Sequence, residues 1–458
     1  MRLTIAIAVL LLESMTMMSS HAATITVTNT NDSGPGSLRQ ALAVAHDNDR
    51  ITFAVSGTIT LTSGQLGVSK NVTISGPGAD QLSIVGMPFR FVLVAAVKAA
   101  TISGLTIRNG AGGIFNGGTL TVSNCVISGS SVGGIENWGS LTVANSNVSN
   151  NVIGIFNATG EFGVVKATVL NTTVSGNSEG GVVASPNFFG GRAYITIIDC
   201  TIRGNFRTGA GGGISGGVGT LLAVANSTIS GNSAGTSGGG ISVSVSGLVP
   251  GSSIVNSTIS GNSAGTSGGG IGGGGNADLS IVNSTVSGNS AGTSGGGIYN
   301  NLSLYVTLST ITGNSAPSGG GIYNVGSVEV FNTILNAGMS GENIFNEGGT
   351  VTSLGYNLSS DDGGGYLTGP GDQINTDPLL GPLQDNGGPT LTHGLLPGSP
   401  AIDAGDPNFT PPPFNDQRGC PRVINGRVDI GSFERQPLGR SCVTPRPRPT
   451  PRPRPTPG

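Results

Sequence analysis

The amino-acid sequence predicts an all-β fold, a parallel β-helix solenoid, and three observations carry that prediction. The run Asn226–Ile241, Asn-Ser-Thr-Ile-Ser-Gly-Asn-Ser-Ala-Gly-Thr-Ser-Gly-Gly-Gly-Ile, recurs almost letter for letter at Asn256–Ile271 and Asn283–Ile298, spaced by 30 and then 27 residues. Self-similarity at a fixed period is the signature of a repeat architecture. Segments inside the repeat, such as Ser253–Ser260, alternate β-branched and small polar residues, which suits a pleated strand with two faces. Clusters of Gly, Asn and Ser punctuate these segments, and no repeat carries a 3.6-residue apolar period. A turn of roughly 20–30 residues built from short strands fits a parallel β-helix, whose coils stack about 4.8 Å apart.

Stacking at that spacing sets each template position on its own copy in the next coil. Ile114, Ile135, Ile155, Val182, Ile214, Ile241, Ile271, Ile298, Ile322 and Ile344, the apolar residues of the Gly-Gly-Ile element, should form one inward ladder. The Ile or Val after Ser-Thr should form a second. The Asn before Ser-Thr is expected at a corner, its amide bonding the adjacent coil and its backbone left-handed. Gly takes the remaining corners. A flexible glycine-rich linker would not hold Ile and Val in register over ten repeats, so the 81 Gly residues read as structural.

Charged residues are 9% of the chain, far below the ~25% of ordinary domains, and the formal net charge is −3. No Lys or Arg stands between Arg207 and Arg418, and Asp278 is the only charged side chain between Arg207 and Glu329. From Glu329 to Asp416 there are eleven acids. Nothing here forms a basic footprint for nucleic acid, and that partner is not expected.

Met1–Ala22 has the layout of a secretory signal: Arg2, an apolar core Leu3–Leu12, and a small-x-small site at Ser20–Ala22. The apolar run is too short to span a membrane. The expectation is export by a Sec-type route, to the cell surface or beyond, with no transmembrane segment left after signal removal. Residues 23–70 read as an N-terminal cap region. In it Thr24–Thr30 alternates as an edge strand, and Ser37-Leu-Arg-Gln40 opens a helix, Leu38–Ala45, with Leu38, Leu42 and Ala45 on one face. Residues 71–375 read as the β-helix coils, 376–443 as a loop-rich C-terminal cap, and 444–458 as a Pro/Arg-rich polyproline-II tail. The tail is either solvated or, through its four arginines, in contact with anionic envelope polymers.

Asp32–Ala41, Gly57–Leu61 and Ile74–Asp80 resemble the N-terminal region of bacterial surface proteins with a CSLREA-type motif, written Gly-Ser-Leu-Arg-Gln-Ala in this chain. Thr376–His393, Leu396–Gly405, Asp416–Gly419 and Val428–Glu434 resemble the closing region of the choice-of-anchor Q domain. The Gly-Gly-Ile elements with Phe115, Tyr299 and Tyr323 are more loosely similar to the repeats of polymorphic outer-membrane proteins. The resemblance implies a right-handed, pectin-lyase-like β-helix at or outside the cell surface, and no particular activity.

Cys125 and Cys200 share one template position, three coil steps or about 14 Å apart, beyond the reach of a disulfide. They should be buried thiols in a ladder. Cys420 and Cys442 flank the last motif in an oxidising compartment and are expected to pair.

The β-helix fold hosts pectate lyases and polygalacturonases, so catalysis has to be weighed. A lyase needs calcium-holding acids and a base near the carbon that loses its proton. The neutral middle supplies neither, whereas the N-terminal coils offer Glu136, Glu179, Asp199, Arg203 and Arg207. Asp199 falls on the corner Asn position, where a capping role explains it better. Asp361-Asp362, Asn375-Thr-Asp377 and His393-Gly394 echo polygalacturonase pieces, but out of order and with no basic partner before Arg418. Asp403, Asp406, Asp416, Asp429 and Glu434 could hold calcium, or could pair with Arg418, Arg422 or Arg427 and cap loops. No other cofactor is indicated. The residue after each Gly-Gly-Ile isoleucine should face outward. It is aromatic near both ends, at Phe115, Phe156, Tyr299 and Tyr323, with Trp138 nearby. Such a row can stack on sugar rings or pack under loops.

The sequence thus points to a non-catalytic, monomeric solenoid presenting a long face to glycan or a surface protein. A polysaccharide lyase or glycoside hydrolase working through the N-terminal charged coils is the rival reading. A purely structural envelope spacer is the third.

Overall fold

The computed structural model describes residues 22–86, 91–160, 163–186, 190–245 and 251–437. Most of the expected signal segment, the Pro/Arg tail and Cys442 lie outside the described residues. Short strands of alternating Ile/Val and Ser/Thr stack into three parallel columns. One holds the Gly-Gly-Ile strands, from Leu66–Val68 to Ile344–Asn346. A second runs from Thr24–Val27 to Thr350–Gly355. The third, of thirteen strands, runs from Gly57–Thr60 to Leu358–Ser359. Ile271–Val282 and Ile298–Thr307 pass through the first two columns unbroken. The architecture is a parallel β-helix, and parallel crossovers are right-handed in about 98% of cases.

Both apolar ladders form in the expected register. Ile114 pairs with Ile135, Ile135 with Ile155, Ile155 with Val182, Val182 with Ile214, and so on through Ile322 and Ile344. Ile127, Val148, Val174, Ile202, Ile229, Ile259, Val286 and Ile311 stack likewise in the third column. All are buried, and each contributes about 1.5–3 kcal/mol of transfer free energy.

The corner Asn residues behave as expected. Asn124, Asn145, Asn171, Asn226, Asn256 and Asn283 have φ between 42° and 54°. Their amides link coils, with Asn256 Nδ2 donating to Asn226 Oδ1 at 3.2 Å and Asn283 Nδ2 to Asn256 Oδ1 at 2.7 Å. In the triplet Gly238–Gly240 only the first glycine needs a positive φ, of 67°. The other two admit no Cβ because the carbonyls of Ser263, Gly269 and Gly270 in the next coil sit against them. Cys125 and Cys200 are free and buried, within the Ser/Thr ladder that includes Ser146 and Ser227. Burial pushes both thiols up to about 11.

A second Asn ladder was not expected. The Asn of Gly-Asn-Ser (Asn177, Asn232, Asn262, Asn289 and Asn314, with Asn205 in Gly-Asn-Phe) points inward and is about 1% exposed. Asn262 Nδ2 donates to Ile229 O at 3.0 Å and to Asn289 Oδ1 at 2.9 Å, while its Oδ1 accepts from Asn232 N at 2.9 Å and Asn232 Nδ2 at 3.0 Å. Each amide thereby satisfies a turn that would otherwise bury unpaired backbone.

The two ends differ from expectation. Coiling starts at Thr24, whose strand pairs in parallel with Arg50–Phe53, so the 23–70 region already belongs to the solenoid. The helix spans Leu38–Val44 and buries Leu38, Ala41 and Leu42 against that first coil. Only half of the capping box forms: Ser37 Oγ accepts from Gln40 N at 3.2 Å, while Ser37 N bonds Gly34 O. The C-terminal segment does not close the end of the coil. It lies along the flank, where Thr258 Oγ1 donates to Leu391 O (2.6 Å), Thr285 Oγ1 to Gln417 Oε1 (2.7 Å), and Ser432 N to Thr310 Oγ1 (3.1 Å).

The two Asn ladders should respond differently to substitution. Asn262→Gly strands several buried donors and acceptors and should cost at least about 3 kcal/mol. Asn226→Gly keeps the left-handed corner and should stay within about 1 kcal/mol of wild type. Chemical denaturation of both variants checks this, and equal losses would contradict the assignment.

Candidate binding surfaces

Because Ile of Gly-Gly-Ile points inward, the next residue points out, and the strand register stacks those residues in one row. Tyr299 pairs with Tyr323 and Tyr323 with Phe345. Their rings stack with centroids 5.5 and 5.1 Å apart. Tyr323 Oη donates to Glu347 Oε2, and that bond, then burial, pushes the phenol up to about 12. At the other end Phe115 stacks on Trp138 at 6.4 Å, and Trp138 is exposed. Phe156 lies in the same row, half-buried, separated from Phe115 by Glu136. Tyr299, Tyr323 and Phe345 are half-buried. Their rings cover one another's faces, which leaves ring edges and the two stack ends for contact.

The catalytic candidates do not converge. Glu136 is buried on the Gly-Gly-Ile face. Asp199 sits at the Asn corner with φ 55°, and Arg203 is the exposed end of the third-column strand Thr201–Arg203. Glu179 and Arg207 lie together on the following turn, where Glu179 Oε2 accepts from Thr208 Oγ1 at 2.9 Å. Burial, more than Glu179 offsets it, lowers the pKa of Arg207. Of these groups only Glu179 and Arg207 are in electrostatic contact with each other.

The calcium candidates hydrogen-bond to the chain itself, mostly to its backbone, as the capping alternative of the sequence reading has it. Asp416 accepts from the backbone N of Arg418, Cys420 and Glu434 and pairs with Arg418 Nη2 at 2.7 Å. Asp429 accepts from Asp403 N and Arg435 N, and Glu434 Oε2 from Asp429 N. Asp406 caps Asn408 N, and Asp403 accepts from Asn425. Among the described residues no group of three or more His, Cys, Asp or Glu is arranged to hold a metal. The polygalacturonase-like pieces are caps too: Asp361 holds Asn343 and Gly363, Asp362 Gly364, and Asp377 Leu379. His393 donates from Nδ1 to Gly381 O (2.7 Å) and so accepts at Nε2 from Ser287 Oγ (2.8 Å). Cys420 is disulfide-bonded, and its expected partner Cys442 lies outside the described residues.

Sequence reasoning missed a cleft of about 1100 Å³ where the flank segment parts from the coils. Its walls are Asn171, Asp199, Asn226 and Thr228 on one side and Asp385 and Gly387–Leu391 on the other. Only the long-range fold of the C-terminal segment creates it.

No protein-family model matches the chain, and no curated protein does. Among solved structures, pectate lyase Pel9A aligns over 91% of this chain and 98% of its own, at 15% identity and a TM-score of 0.39. The Agl-KA catalytic domain aligns over 69% of this chain and 64% of its own, at 18% identity and 0.41. The catalytic unit of a thermostable GH87 alpha-1,3-glucanase from Streptomyces thermodiastaticus strain HF3-3 aligns over 74% and 70%, at 16% and 0.37. At that level the likeness carries no argument about activity, and the fold stands on the strand pairing itself.

The buried flank charges make a pH prediction. Burial, then Asp429, pushes Glu434 up from 4.5 to about 9, and burial pushes Asp429 up to about 6. The folded state keeps a proton that the unfolded chain releases above 4.5. That stability is therefore full below pH 4.5 and is lost as pH rises through about 9. Glu434→Gln should flatten the alkaline fall in Tm, and a wild-type Tm unchanged across this window would refute it.

Proposed function

We propose that this chain is an exported, monomeric β-helix solenoid of the choice-of-anchor Q type that holds glycan without cleaving it. The observation that carries this is the stack of Tyr299, Tyr323 and Phe345 beside a glycine strand. Register sets Tyr299 beside Gly272 of the preceding coil. In the run Gly272–Gly275, Gly272 is buried under Ser237 and Gly238 of the preceding coil, while the outward side of Gly274 is open. A pyranose ring laid over Gly274 would press its C–H bonds on the Tyr299 ring, the contact aromatic platforms favour. Its hydroxyls would meet a surface almost free of charge, since Asp278 alone is charged between Arg207 and Glu329. Of the N-terminal candidates for chemistry only Glu179 and Arg207 are in electrostatic contact with each other, which supports holding over cleaving.

A glycan-binding panel tests this directly. Tyr299→Ala should weaken the best ligand by about tenfold, and Phe345→Ala at the far end should do less. Polysaccharide incubated with the protein should be recovered intact by mass spectrometry. Oligosaccharide release that disappears in Glu136→Gln, Glu179→Gln or Arg203→Ala would replace this reading with the enzymatic one.

A further inference from the structure

Between Asn124 and Asn332 two corners are not Asn, and the chain supplies a donor at one of them. Where corner amides bond, each donates to the Oδ1 of the coil before it: Asn171 to Asn145 at 2.8 Å, Asn256 to Asn226 and Asn283 to Asn256. After Asn283 the corner is Leu308, which has no amide to give. There Arg422 enters from the flank segment and donates through Nη2 to Asn283 Oδ1 at 2.7 Å and to Leu308 O at 3.2 Å. A cation thus replaces the missing donor.

The other break is Asp199, between Asn171 and Asn226. A carboxylate cannot donate to Asn171 Oδ1; Asp199 bonds through its backbone N to Ala225 O at 3.2 Å, and its carboxylate has no partner among the described residues. Among the described residues no cation fills this break. Instead the corner opens into the cleft, and Asp385 lines the opposite wall. Asp385 spends Oδ1 on Gly387 N and has no ion-pair partner among the described residues. Arg418 also lines the cleft, but Asp416 neutralises it at 2.7 Å and Phe433 stacks under it at 3.5 Å.

We propose that this cleft binds an amino-sugar oligosaccharide, with a protonated ring amine placed between Asp199 and Asp385. The amine supplies the donors that Arg422 supplies at the other break. The Asn171 and Asn226 amides and the Thr228 hydroxyl offer donors and acceptors suited to sugar hydroxyls. This site is independent of the aromatic stack.

Calorimetry with a β-1,4-linked glucosamine tetramer, against its N-acetylated counterpart, tests the proposal. The free-amine tetramer should bind at least about tenfold tighter. Asp199→Asn restores the residue type of the neighbouring corners and should fold with an unchanged Tm. That variant and Asp385→Asn should each abolish the preference for the amine, while Tyr299→Ala should leave it intact. Absent binding, equal binding of the acetylated tetramer, or wild-type preference in Asp199→Asn would overturn the proposal. Spermidine binding as tightly as the tetramer would overturn the sugar class. Loss in Tyr299→Ala would move the ligand to the aromatic stack and overturn the cleft.

Discussion

In this fold every side chain lies about 4.8 Å from its counterpart in the next coil, and the rest of the structure follows from that repetition. Like must tolerate like. Two equal charges at that distance repel by roughly 3–4 kcal/mol at an effective dielectric constant near 20, so a repeated position cannot be charged. Isoleucine packs on isoleucine without cost, which accounts for the inward ladders. Asparagine is the polar residue that can both donate to and accept from its own copy while still capping backbone. The seven-residue run from Asn151 to Asn314 does this in the interior. The sparse charge of the middle coils is a consequence of stacking, not a separate property.

A ladder must also end, and its last acceptor needs a donor from elsewhere. The flank segment supplies them: Arg422 for Asn283, and Asp406 N for Asn332 Oδ1 at 2.9 Å. That task brings charge into a dry interface, where an unbalanced group is expensive. Arg418 and Arg422 face Asp416, Asp429 and Glu434, one carboxyl too many for neutrality. A proton retained on Glu434 removes the excess, in keeping with its upward shift.

What the sequence made legible is what the period enforces. The Ile ladders, the left-handed corner Asn and the outward aromatic row each follow from one residue recurring at one template position. The interior Asn of Gly-Asn-Ser recurs just as faithfully, but beside glycine it reads as a turn residue, and local pattern cannot say which way an amide points. The first coils were missed because Thr24–Val27 and Gly57–Thr60 lack the template. Flank docking was invisible for a different reason. Thr258, Thr285 and Thr310 are fully covered, whereas Thr201 and Thr228 at the same template position are only half-buried. Nothing local distinguishes them, because the covering residues lie more than 100 positions away. The acids of the closing region stayed ambiguous for a related reason. Spacing shows where carboxylates cluster but not that backbone N–H groups already occupy them.

A surface made of identical coils can hold a ligand but cannot fix its register, since a shift by one coil restores nearly the same contacts. Specificity has to come from positions where the repeat is interrupted. In this chain those are few: the change from glycine to tyrosine at Gly272 and Tyr299, the loss of an amide at Leu308, and the carboxylate at Asp199. The second is filled from within. Of the other two, one adjoins a half-buried aromatic ring and the other lines a cleft with a second carboxylate. Their chemistries differ, apolar at one and anionic at the other. A single extended sugar polymer with scattered free amines could satisfy both from one side of the coil or the other, and the interruptions would set where along the solenoid it stops.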